Sequence, residues 1–150
     1  MKILKSTFII LISTMTFWGC SSLYDHFTYT ETIETKLTTL SLMDKSDSPF
    51  ADAEDEVIAL KNQIEKMVIY EQGKQKNEIT QKMWELLSND KHLVGSYLKL
   101  WEEKGQVNTV FKDEAKPQIE EAFDLMILYE TKKDKQSQNL LKNFLDQFKL

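Results

Sequence analysis

From about residue 27 onwards apolar side chains return every three or four positions, the spacing that gathers them on one face of an α-helix, and no strand-like alternation of useful length competes with it. Thr28 with Glu31 three residues on has the form of a capping box and predicts a first helix, with Tyr29, Ile33, Leu37, Leu40 and Met43 or Asp44 as its recurring face. Threonines at positions 28, 30, 32, 35, 38 and 39 lower its intrinsic propensity, so packing has to hold it. Ser48 followed by Pro49 reads as an N-cap and first helical residue. The helix they open, over 49–72, carries the ridge Phe50, Ala53, Val57, Leu60, Ile64, Met67 and Val68, and Gly73 is placed to end it in a left-handed conformation.

Asn77 is positioned to cap a third segment containing Ile79, Met83, Leu86 and Leu87. Ser88-Asn89-Asp90 interrupts it before Leu93, Val94, Tyr97, Leu98 and Trp101 resume the period, which predicts a broken helix closed near Gly105. A loop to about Lys112 follows. Asp113 then caps a last main helix with Pro117 in its first turn and Ile119, Ala122, Phe123, Met126 and Tyr129 or Glu130 on its buried side. Short connections between long amphipathic helices favour antiparallel neighbours. The expected fold is therefore all-α, an up-down bundle of about four main helices, the third broken near Ser88-Asp90, plus a carboxyl-terminal helix bearing Leu140, Leu141, Phe144, Leu145 and Phe148. The bundle would occupy 27–136 and the carboxyl-terminal helix 137–150.

The amino terminus follows a different pattern. Lys2 and Lys5 precede a mostly apolar stretch from Phe8 to Trp18, and small residues Gly19-Cys20-Ser21-Ser22 follow, the three-part layout of a secretory signal. The stretch is shorter than the roughly 20 apolar residues that a membrane-spanning helix needs. Phe17-Trp18-Gly19-Cys20 resembles the lipobox of bacterial lipoproteins. That resemblance implies removal of residues 1–19, diacylglyceryl transfer to the Cys20 sulfur, and a tether over 20–26. It also implies attachment to a membrane of the cell envelope, and in a Gram-negative cell the outer membrane facing the periplasm, because Ser21 stands where lipoproteins retained at the inner membrane carry Asp.

Composition narrows the partners. All 19 basic side chains are Lys, and loss of Lys2 and Lys5 would leave 17 against 24 acidic ones, a formal charge of −7. Without arginine, and with this acidic excess, the chain lacks the means to read nucleic acid. Its single cysteine rules out an internal disulfide, so the core alone must hold the fold.

Catalytic and metal-binding motifs are sparse. His26 and His92 stand in no Glu-x-x-His pair, and the acids at 52, 54, 55 and 56 and at 120, 121 and 124 suit the positive ends of helices better than a cation site. The expectation is a non-enzymatic domain with no cofactor and no metal. One stretch stands out: Phe123 to Tyr129 is apolar around nearly the whole helix, so that Leu125 and Leu128 point away from the Ile119 and Phe123 side. Either the carboxyl-terminal segment covers them or another envelope protein does. Ile58 and Ile69 form a minor second ridge on the second helix and complete the expected partner surface. In size, class and address the chain is similar to the helical pilotin lipoproteins of secretion systems. The competing expectation is a periplasmic bundle that binds a small ligand or a metal.

Overall fold

The computed structural model describes residues 24–75 and 77–148, and the regular elements among them are all helical. The signal segment, Cys20 and the tether up to Leu23 lie outside the described residues. The helices are α1 (His26–Lys45), α2 (Glu54–Gln72), α3 (Glu78–Ser88), α4 (Leu93–Lys104), α5 (Thr109–Lys132) and α6 (Lys135–Leu145), with a 3-10 turn at Phe50–Asp52 between the first two. No helix among the described residues is long and apolar enough to cross a membrane.

Ion pairs between neighbouring helices give their directions. Lys66 of α2 meets Glu31 of α1 at 2.6 Å, and Lys45 near the other end of α1 meets Glu56 at 2.6 Å, so α1 and α2 are antiparallel. Lys36 likewise contacts Glu120 at 3.3 Å and Asp124 at 2.6 Å, while Lys116 reaches Asp44, which makes α5 antiparallel to α1. The broken α3–α4 arm completes an up-down bundle. Its core is one cluster that includes Val57, Leu60, Ile64 and Met67 from α2, Trp84 and Leu87 from α3, Trp101 from α4 and Phe123 from α5. Helix α6 folds back on α3 and α5, adding Leu141, Phe144 and Leu145 to that cluster, and Phe148 beyond it meets the His92 ring edge-on.

Several local expectations change. Helix α1 begins three residues earlier than the capping box implied, because the Asp25 side chain accepts the Thr28 N–H at 3.1 Å, and Thr28 is buried inside the helix. Its buried face is Thr28, Thr32, Thr35 and Thr39, followed by Leu42 and Met43, while Leu37 is 63% exposed. Threonine buries cheaply here because Thr32 and Thr39 donate their hydroxyls to the carbonyls four residues back, at 2.6 and 2.7 Å. Pro49 does not open α2. The Phe50 N–H is held by the Gly105 carbonyl, and the Ser48 carbonyl by the Trp101 indole N–H, so the segment is pinned to the end of α4 as a 3-10 turn and the helix proper starts at Glu54.

Gly73 follows α2 in a right-handed conformation, with φ near −74°, and the left-handed helix ends are Gly105 and Lys133. Asn108 caps α5 by accepting the Phe111 N–H at 2.8 Å. Asp113 therefore lies inside the helix, and Pro117 falls in its interior beyond the first turn. The break between α3 and α4 is where expected. Gly95 lies so close to the end of α3 that a Cβ would overlap the Asn89 carbonyl and come within 2.9 Å of the Ser88 oxygen.

Candidate functional site

One end of the bundle gathers the start of α1, the ends of α2 and α5, and the starts of α3 and α6, and beneath it lies a polar cluster where a core would be expected. Two glutamates with no exposed surface anchor it, Glu71 on α2 and Glu130 on α5. Glu71 Oε1 accepts the Thr28 hydroxyl at 2.5 Å, and both its oxygens lie near the Lys74 ammonium, at 3.3 and 3.1 Å. Glu130 Oε1 accepts the Thr80 hydroxyl at 3.1 Å and the Lys133 ammonium at 2.7 Å. Each helix thus carries the same device: a tyrosine, the buried glutamate, and a lysine three residues beyond that lies over the tyrosine ring, 5.2 Å from Tyr70 and 4.4 Å from Tyr129.

Tyr-Glu-x-x-Lys stands twice in the sequence, at 70–74 and 129–133, and sequence reasoning passed over it. The pattern has a local physical reason. A carboxylate near a helix carboxyl terminus is opposed by the helix dipole, and a lysine just beyond offsets both charges. At Lys133 the ammonium is placed at the expense of the backbone, since φ is +47°, a conformation better suited to glycine.

Asp25 joins the first device. Lys74 donates to its Oδ2 at 2.6 Å, and the Tyr70 hydroxyl donates to the same oxygen at 3.1 Å. Burial pushes the Asp25 carboxyl up, but Lys74, the Thr28 N–H and Tyr70 outweigh it and hold the group at about 2. Glu71 moves the other way. Burial raises it and nearby Glu130 adds to this, against the hydrogen bonds from Thr28 and Lys74. Lys74 is raised because its carboxylate partners outweigh its own desolvation. Glu71 Oε2 and Glu130 Oε2 accept no hydrogen bond within the protein, and the buried Asn77 amide nitrogen donates none. The two ammonium groups already counter the buried carboxylates, in the places that a cation would take. Among the described residues no group of three histidine, cysteine or acidic side chains is arranged for a metal ion.

The residues singled out in the sequence are dispersed. Ile58 and Ile69 are 48% and 62% exposed on α2, eleven residues apart, while Leu125 and Leu128 are half-buried, Leu125 against the core. His26 is exposed beside the Tyr24 hydroxyl, and His92 directly precedes α4. The acids at 54, 55 and 56 occupy the first turn of α2. An open groove of about 390 Å³ runs between α3, α5 and α6, lined by Ile79, Lys82, Tyr129, Lys142 and Leu145 among others. Compared with protein-family models, curated proteins and solved structures, the chain matches none.

Proposed function

We propose that the protein is a membrane-tethered, non-enzymatic lipoprotein of the cell envelope, whose helical bundle binds another envelope protein in an assembly, secretion-accessory or exclusion role. The observation that carries this reading is the amino-terminal layout, a charged start, an apolar stretch and the lipobox-like Phe17-Trp18-Gly19-Cys20. The first described helix begins at His26, and its Asp25 cap follows Cys20 by five residues, a spacing that suits a short tether. Two or three acyl chains give stable anchoring without the basic patch that this acidic chain lacks overall.

Cys20→Ser with metabolic palmitate labelling and fractionation tests the tether. Wild type should be labelled and extracted only by detergent, whereas the variant should lose the label and accumulate as precursor or soluble protein. An unlabelled, soluble wild type would leave ordinary signal cleavage as the better account. For the partner, the outward ridge of α2 (Ile58, Asn62, Glu65 and Ile69) is the expected contact. Crosslinking in intact cells should capture one stoichiometric protein, and Ile58→Asp should lose it. Capture that is unchanged in the variant would move the interface elsewhere.

A further inference from the structure

We propose that the end of the bundle nearest Cys20 is a lipid-contacting face, seated in the headgroup region of a bilayer; this rests on the reading that Cys20 is acylated. Three aromatic side chains remain open to solvent there, Tyr24 at 42%, Phe27 at 41% and Tyr70 at 37%. Phe27 of α1 and Tyr70 of α2 adjoin across the two helices, while Tyr24, just before α1, packs on His26 and Tyr29. The Phe27 and Tyr70 rings are 4.7 Å apart, and Lys66 lies over Phe27 at 5.5 Å. Ile69, more exposed still, is the neighbour of Tyr70 in the chain. Rings with an apolar body and a polar edge, flanked by lysine, are what the boundary between headgroups and acyl chains accommodates.

Two further observations select lipid as the occupant. Tyr24 is four residues from Cys20, and four residues reach about 14 Å at full extension, so an acylated cysteine would keep this end at the bilayer surface. Charge is also unevenly distributed along the bundle. At this end Lys74, Lys132, Lys133 and Lys135 nearly balance Asp25, Glu71, Glu78, Glu130 and Asp134, whereas at the opposite end Asp44, Asp47, Asp52, Glu54, Asp55 and Glu56 outnumber Lys45, Lys104, Lys112 and Lys116. An anionic surface would therefore repel the opposite end more than this one. End-on seating takes Ile69 of the α2 ridge for the bilayer and leaves Ile58, Asn62 and Glu65, toward the acidic end, for a protein partner.

The test uses the full chain, expressed with its signal and reconstituted into phosphatidylethanolamine and phosphatidylglycerol vesicles whose acyl chains are brominated near the headgroup. Tryptophan reporters are placed by Phe27→Trp and Ile69→Trp at the proposed face and by Val110→Trp near the opposite end. Trp84 and Trp101 are fully buried and Trp18 departs with the signal, so wild type in the same processing state supplies the background. Intact mass reads acylation and flotation reads attachment. An acylated protein that floats should show bromine quenching for Phe27→Trp and Ile69→Trp, and none beyond wild type for Val110→Trp. Flotation of acylated protein without quenching at either reporter, or with equal quenching at Val110→Trp, overturns the lipid face and leaves the anchor standing; the aromatic cluster then belongs to a protein partner. Quenching at the face of an unacylated protein keeps the lipid face and removes the anchor. A protein neither acylated nor quenched overturns both.

Discussion

Thr28 and Thr35 lie two turns apart on the buried face of α1 and carry opposite energetic signs. The Thr28 hydroxyl satisfies the buried Glu71 carboxylate at 2.5 Å, whereas the Thr35 hydroxyl is buried without a hydrogen-bond partner. A hydrogen bond to a charged group contributes about 2 kcal/mol, and a buried polar atom left unpaired costs about 1 kcal/mol or more. Thr35→Val, which keeps the shape and removes the hydroxyl, should raise stability by about 1 kcal/mol, and Thr28→Val should lower it by about 2 kcal/mol. Urea denaturation of both variants checks the pair; a loss in both would mean that α1 needs its hydroxyls for a reason other than satisfying Glu71.

Acid titration separates Asp25 from Glu71. Held at about 2, below its ordinary 3.8, ionised Asp25 favours the fold above about pH 4, and that contribution is lost as pH falls through about 2. Glu71 is raised above its ordinary 4.5, so the folded chain binds its proton more readily than the unfolded chain does. The Glu71 contribution is therefore fully present below 4.5 and is lost as pH rises through the folded value. Glu71→Gln fixes the neutral form and should gain thermal stability relative to wild type as pH rises from 4 to 8. A difference in melting temperature that stays constant across that range would show that Glu71 titrates alike in both states.

At the scale of elements, the α3–α4 break depends on one close approach. Gly95 admits the Ser88 and Asn89 carbonyls where any side chain would collide with backbone, and Leu93 two residues before it already has φ of +40°. Backbone cannot yield as a flexible side chain does, so Gly95→Ala should destabilise by about 3 kcal/mol, the upper end of what overpacking costs. Thermal unfolding monitored by circular dichroism measures it, and a loss under 1 kcal/mol would mean that the two helices separate easily at the break. The two Tyr-Glu-x-x-Lys ends make a related point. Helices α2 and α5 finish with the same side chains, and each glutamate is met by a threonine from another helix, so the polar cluster ties four elements together at one end.

For the molecule as a whole, α6 is part of the core rather than an appendage. Leu141, Phe144 and Leu145 are buried with α3 and α5, and three such side chains contribute roughly 5 kcal/mol, comparable with the whole net stability of a domain this size. Deleting 137–150 should therefore unfold or aggregate the protein, with loss of the cooperative thermal transition. A monomeric, cooperatively melting truncation would show that the first five helices suffice.

The apolar ridges of α2 to α6 were legible in the chain because Val57, Leu60, Ile64 and Met67, like Ile119, Phe123 and Met126, are hydrophobic and helically spaced at once. The break at Ser88-Asp90 was equally plain from its residues. The buried face of α1 was not. Hydrophobicity points to Ile33 and Leu37, whereas close packing against α2 and α5 selects the smaller threonines, of which Thr32 and Thr39 return their hydroxyls to backbone carbonyls of their own helix. The glutamate pair was hidden for a stronger reason. A glutamate near a helix end reads as a solvated surface group, and only the tertiary structure brings Thr28 and Thr80 from 43 and 50 residues away to satisfy each carboxylate. Sequence alone determined the number, period and order of the helices among the described residues, because these follow from local propensity and burial along one chain. Which polar groups could go inside was decided by the tertiary structure, since a buried charge is tolerable only where distant partners converge on it.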